Sequence, residues 1–148
     1  MKYKNILFDL DGTLIDSAPG IEESFYKAYL KVYKKECPQI ITTFIGPPID
    51  QVLTAINNES NLEIIKLFVD EFKHHYDAEG FKKSMLYDDV VSVLEILLAN
   101  KLNIFIATNK RERPTKLILE YLSIDKYFTN IYCPDILEIK FKNKKELV

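Results

Sequence analysis

Two apolar runs, Ile6-Leu7-Phe8 and Leu102-Asn103-Ile104-Phe105-Ile106-Ala107, each stop at small polar residues, and about 90 residues lie between them. Each reads as a buried strand, the first apolar on both faces as in the covered sheet of a parallel fold. A parallel crossover needs only a dozen or more residues. The excess therefore predicts an insert after the first strand. Leu86 to Asn100 carries Val90, Val91, Val93, Leu94, Leu97 and Leu98 at helical spacing, with Asp88 or Asp89 placed to cap it. A second helix is expected from Pro114 through Leu117, Ile118 and Leu122, and a third strand at Asn130-Ile131-Tyr132-Cys133, stopped by Pro134. Alternating strands and helices in this order imply an α/β fold, a parallel sheet with helices on its faces.

The insert reads as wholly helical. Pro19 suits a first helical turn, and Ile21, Phe25, Ala28, Tyr29 and Val32 follow on one face. Gly46-Pro47-Pro48 breaks the pattern before Ile49, Val52, Leu53 and Ile56 resume it. Ser60-Asn61-Leu62-Glu63 has capping-box spacing, and Ile64, Ile65, Phe68, Val69 and Phe72 form the next stripe. The expected organisation is a core from residues 1–16 and 84–148, interrupted by a helical segment over 17–83.

The 148 residues carry a formal net charge of -2, and acids and bases interleave, so no global field favours nucleic acid. Lys140, Lys142, Lys144 and Lys145 form a local basic cluster that reads either as a solvated tail or as a phosphate-binding group. Cys37 and Cys133 are isolated, which suggests neither a disulfide framework nor a zinc site and fits a reducing cytoplasm. The apolar run before Asp9 is too short for a signal-peptide core or a membrane span. Adjacent His74 and His75 point about 100° apart on a helix, so surface or boundary positions are expected rather than a metal site. Most of the nine tyrosines fall at helical spacing in the insert, where core packing is expected.

Ligands of open parallel sheets bind at the carboxyl ends of the strands. Those ends carry Asp9, Asp11 and Thr13 on one strand and Thr108 and Asn109 on the other. Two carboxylates in one small pocket disfavour double ionisation, which suits a division between nucleophile and acid. A carboxylate attacking a phosphate dianion needs a cation to offset the charge. Magnesium fits, since it takes one or two carboxylates with phosphate and water oxygens; Asp9 and the carbonyl of Asp11 are the first candidates. Gly12 permits the tight turn such a loop needs. Lys110, Arg111 and Arg113 read equally as anion contacts or as a solvated helix start.

Phe8-Asp9-Leu10-Asp11-Gly12-Thr13-Leu14-Ile15-Asp16-Ser17 resembles the first motif of the haloacid dehalogenase-like hydrolases. Ile106-Ala107-Thr108-Asn109-Lys110 resembles their second motif, and Phe44-Ile45-Gly46-Pro47-Pro48 a loop of the phosphoglycolate-phosphatase-like branch. The resemblance implies a Rossmann-like core with a helical cap, and a magnesium-dependent phosphatase of small phosphorylated metabolites. It makes Asp9 the nucleophile, Asp11 the acid and base, and both of them metal ligands. Gly12, Thr13, Thr108, Asn109 and Lys144 take the phosphate, with Lys142 second to Lys144, while Gly46, Pro47 and Pro48 face substrate from the cap. The family's later acidic motif has no match after Lys144, so a truncated core with one uncovered flank of the first strand is expected. A catalytically impaired remnant and a phosphomutase are the competing readings. A phospho-acceptor domain is disfavoured by the long insert, and a dehalogenase by the acid at Asp11.

Overall fold

A computed structural model describes residues 3–38 and 46–135. The chain divides into two compact units, Met1–Asp16 with Met85–Val148, and Ser17–Ser84.

The first unit is built on a parallel sheet of β1 (Asn5–Phe8), β4 (Asn103–Ala107) and β5 (Asn130–Tyr132), with β4 in the middle. The register sets Phe8 beside Ile106 and Ala107 beside Tyr132. Mixed α/β architecture with a parallel sheet is thus as expected. Ile104, Ile106 and Ala107 of β4, the central strand, are fully buried. β1 differs from the expectation of a strand covered on both faces. It alternates exposed and half-buried residues, and Leu7 is 40% exposed. Among the described residues β1 pairs along one edge only, with β4.

A second, two-residue antiparallel ribbon joins β2 (Ile15–Asp16) to β3 (Met85–Leu86). Leu86 therefore belongs to a strand, not to the helix expected over Leu86 to Asn100. Its apolar side chain falls at helical spacing from Val90, but its backbone pairs with Ile15. The Tyr87 amide extends the ribbon by donating to the Leu14 carbonyl at 3.2 Å. Helix α4 then runs Val90–Ala99. Asp89 is its cap residue by position, but with φ 64 it makes no side-chain cap bond. Helix α5 spans Glu112–Tyr121, so Pro114 lies inside the first turn rather than opening it. The Tyr127 hydroxyl donates to Glu95 of α4 at 3.2 Å, and Leu94, Ile118, Leu119 and Ile124 complete the core.

In the second unit, helices α1 (Ala18–Tyr33), α2 (Ile49–Asn57) and α3 (Leu62–Ala78) pack around Phe25, Tyr29, Leu53, Phe68 and Tyr76. The rings of Phe25 and Phe68 meet edge to face with centroids 4.8 Å apart, a geometry that adds to simple burial. Tyr29 and Tyr33 of α1 donate to Asn57 at 3.1 Å and Glu59 at 2.9 Å, tying α1 to the end of α2. His74 is exposed and His75 half-buried on α3; burial, then the neighbouring His74, holds His75 below the usual histidine pKa. Asn61, rather than Ser60, caps α3, its Oδ1 accepting the amides of Glu63 at 2.9 Å and Ile64 at 3.4 Å.

The start of α1 crosses the turn Gly80–Lys83 with no room for side chains. A Cβ on Gly20 would lie 2.0 Å from the Gly80 carbonyl oxygen. Gly20→Ala should therefore destabilise the protein by about 1–3 kcal/mol, as overpacking against backbone does, read as a lower urea midpoint.

Charge contributes separately. Glu23 accepts from Lys27 at 2.6 Å and also pairs with Lys83, and these bonds, Lys27 first, hold its carboxyl down to about 2 from an ordinary 4.5. A depressed folded value stabilises above the unfolded one, and that contribution is lost as pH falls from 4.5 toward about 2. The gain is modest, since the Glu23 side chain is 34% exposed and screened by solvent. Melting temperatures across that window should fall less steeply for Glu23→Gln than for the parent chain.

Candidate active site

The first unit gathers its polar residues where β1 and β4 end. After Phe8 the chain turns back at once. The Leu10 carbonyl accepts the amides of Thr13 at 3.2 Å, Leu14 at 2.9 Å and Ile15 at 3.2 Å, and the Gly12 amide donates to the Ile15 carbonyl at 2.9 Å. Buried Leu10, Leu14 and Ile15 anchor this turn, so the residues between them are carried on a braced loop. Asp9 is half-buried, and its Oδ1 accepts the Leu10 amide at 2.8 Å, which fixes the carboxylate against its own turn. Gly12 and Thr13 are exposed at the tip.

At the end of β4, Thr108 is 1% exposed, and its amide donates to the Tyr132 carbonyl of β5 at 3.1 Å. Its Oγ1 accepts the Lys110 amide at 3.1 Å. A hydroxyl has one hydrogen to donate and two lone pairs, so this bond leaves the hydrogen available for an anion. Asn109 is exposed beside it.

The two strand ends are linked by charge. Lys110 Nζ lies 3.2 Å from Asp11 Oδ1, and the lysine side chain is only 8% exposed. In the sequence Lys110 reads equally as an anion contact or as part of a solvated helix start. Its partner lies on the other strand's loop, far away along the chain, so no local pattern marks it. Further on, the Glu112 amide at the start of α5 donates to Asp135 Oδ1 at 2.8 Å.

Gly46, Pro47 and Pro48 belong to the helical unit. Gly46 has φ +116, and Pro48 is the cap residue of α2, its carbonyl accepting Gln51 at 3.0 Å and Val52 at 3.2 Å. Lys140, Lys142, Lys144 and Lys145 lie outside the described residues, as do Phe44 and Ile45. Among the described residues no group of three or more His, Cys, Asp or Glu side chains is placed to hold a metal ion. The available donors are the Asp9 carboxylate and backbone carbonyls such as that of Asp11, whose own carboxyl is paired with Lys110. These are hard oxygen ligands, and their number suits magnesium, which binds through one or two carboxylates and fills its shell with water and phosphate oxygens. No described helix is long and apolar enough to cross a membrane.

An acidic loop after one parallel strand, and a buried threonine and a lysine after the next, thus lie at the same end of an α/β sheet. The family model for haloacid dehalogenase-like hydrolases matches residues 6–146, and the chain belongs to that family. It is 33% identical over 126 residues to tyrosine-protein kinase PtkA of Mycobacterium tuberculosis, covering 83% of this chain and 42% of the relative. It is 32% identical over 124 residues to a phosphoglycolate phosphatase of Aquifex aeolicus, covering 83% of this chain and 57% of the relative. The chain thus spans about half the length of these curated relatives. A haloacid dehalogenase-like family hydrolase from Streptococcus pneumoniae superposes with a TM-score of 0.79 at 27% identity, over 90% of this chain and 62% of that one.

The turn makes its own prediction. Gly12 has φ +74 and nothing within 4 Å of where a Cβ would sit, so only backbone conformation demands glycine. Gly12→Ala should cost about 1–2 kcal/mol of stability, and Gly12→Asn less, since asparagine tolerates the left-handed region. Chemical denaturation of the two variants checks the order.

Proposed function

We propose that this chain is a phosphomonoester hydrolase acting on a small phosphorylated metabolite, in the manner of phosphoglycolate phosphatases. The observation that carries the reading is the convergence of Asp9 and Asp11 after β1 with Thr108 after β4, in a member of the haloacid dehalogenase-like hydrolases. The family match and the phosphoglycolate phosphatase relative support the reaction class. The PtkA relative is by name a tyrosine-protein kinase, which is also a phosphoryl-transfer class. What the relatives share is therefore phosphoryl chemistry, and the acceptor is the finer part of the proposal.

In the proposed reaction an Asp9 carboxylate oxygen attacks phosphorus, forming an aspartyl-phosphate as the bond to the ester oxygen breaks. The departing alkoxide takes a proton from Asp11. Water then attacks the aspartyl-phosphate while Asp11 recovers a proton from it, and inorganic phosphate leaves as the Asp9 carboxylate is restored. The Leu10 amide holds Asp9 in position for attack. The Thr108 hydroxyl, with Gly12, Thr13 and Asn109, holds phosphoryl oxygens, and Lys144 is assigned the same task. Asp9, with the backbone carbonyl of Asp11, would hold a magnesium ion, which would supply neutralising charge for the approach of one anion to another. The helical unit is assigned substrate selectivity as a cap, with Gly46, Pro47 and Pro48 as its substrate loop. Two free cysteines, Cys37 and Cys133, suit a reducing cytoplasm; burial pushes the Cys133 thiol up to about 11 and keeps it unreactive.

Purified protein should release phosphate from a panel of small phosphomonoesters only with magnesium present, and Asp9→Asn should lower kcat by at least about a thousand-fold. A folded chain without turnover, or turnover undiminished in Asp9→Asn, sinks the proposal.

A further inference from the structure

The Lys110–Asp11 pair is far less exposed than the lysine pairs on the surface of either unit. Lysines 27, 31, 73, 82, 83 and 116 pair with acids while 40–57% of the side chain stays exposed. Such surface pairs contribute little. Lys110 is 8% exposed and Asp11 16%. An ammonium stripped of that much water is tolerated only when a partner compensates it. The same residue also uses its main chain, its amide donating to Thr108 Oγ1 at 3.1 Å. Lys110 therefore grips the loop after β1 with its side chain and the hydroxyl after β4 with its backbone.

We infer that Lys110 is a positioning residue that holds the Asp11 carboxyl in register with the Thr108 hydroxyl, so that the leaving-group oxygen and the phosphoryl group are met together. This inference rests on the hydrolase reading, and its role is orientation rather than contact with substrate. The pair is a buried link between two loops that the sheet brings to the same end but does not itself bond to each other. A carboxyl free to swing through a few rotamers would meet the ester oxygen in only a fraction of encounters, and a displacement of about 1 Å is enough to slow a reaction about 100-fold.

Leaving-group dependence distinguishes orientation of Asp11 from simple phosphate binding. With an alkyl phosphomonoester, whose alkoxide must be protonated to leave, Lys110→Met should lower kcat about 10- to 100-fold with KM little changed. With p-nitrophenyl phosphate, whose phenolate departs without a proton, the loss should be much smaller. Lys110→Arg should recover most of the alkyl-ester rate, and in an Asp11→Asn background Lys110→Met should add almost nothing. Thermal melts of the same variants give a readout independent of turnover, in which the Lys110 and Asp11 substitutions should again be non-additive. Lys110→Gln serves in the same cycle should Lys110→Met fail to fold. Equal losses on both esters, a raised KM at constant kcat, or additive effects in the Asp11→Asn background overturn the positioning role while the Asp9 hydrolase stands. Absence of phosphate release from either ester by the folded parent chain overturns the hydrolase reading and the positioning role with it.

Discussion

Parallel pairing of β1 with β4 is the constraint on which the site depends. Parallel neighbours leave a sheet at the same end, so whatever follows Phe8 and whatever follows Ala107 emerge side by side, although about a hundred residues separate them in sequence. The register carries this to the last rung, with Phe8 beside Ile106. Beyond that rung the ladder can no longer satisfy the backbone, and local turns take over. The Leu10 carbonyl collects three amides, and the Thr108 amide is taken by Tyr132 on the far side of β4. Side-chain chemistry begins where sheet hydrogen bonding stops because that is where polar groups have both freedom and water. The same geometry requires a crossover, which contains α4, and the Ser17–Ser84 unit is inserted ahead of it.

Much of this architecture was legible in the sequence because it depends on periodicity. Strands that stop just before Asp9 and Thr108, and the stripes of α1, α2 and α3, follow from which positions are apolar. What was not legible depends on partners or on backbone conformation. Leu86 has the right spacing for α4 and the wrong partner, Ile15. Ser60 and Asn61 are both good caps, and Asn61 wins because its carboxamide reaches two amides at once. Glu63 thereby becomes the second helical residue instead of the third, and Ser60 turns its amide to Glu59 at 3.1 Å. Helix ends were obscured for a related reason. Glycine usually marks a left-handed terminus, but the chain has only 4 glycines. Lys34, Asn58, Lys101 and Ser123, with φ between 51° and 58°, close α1, α2, α4 and α5 instead. None of these residues except asparagine signals a stop, so the composition concealed the boundaries it had to create.

The site shows the same division between local and distant causes. Asp9 is held by the amide of its immediate neighbour, so a ten-residue motif contains both the carboxylate and what orients it. Gly12 is equally local, its positive φ required by a turn whose bonds all lie between Leu10 and Ile15. Such features survive in a sequence as compact strings, which is why the segment around Asp9 resembles a family so readily. Asp11 is different. Its ion pair comes from Lys110, on a strand end that only the folded sheet brings near. A lysine after a threonine and an asparagine has no periodicity and no cap signature, and its charge alone suggests a solvated position. Burial is what changes its meaning, and burial is a property of the pairing of β1 with β4 rather than of any stretch of residues. The first motif is thus half self-contained, with its nucleophile candidate oriented by its own turn and its acid candidate oriented by the neighbouring strand's loop.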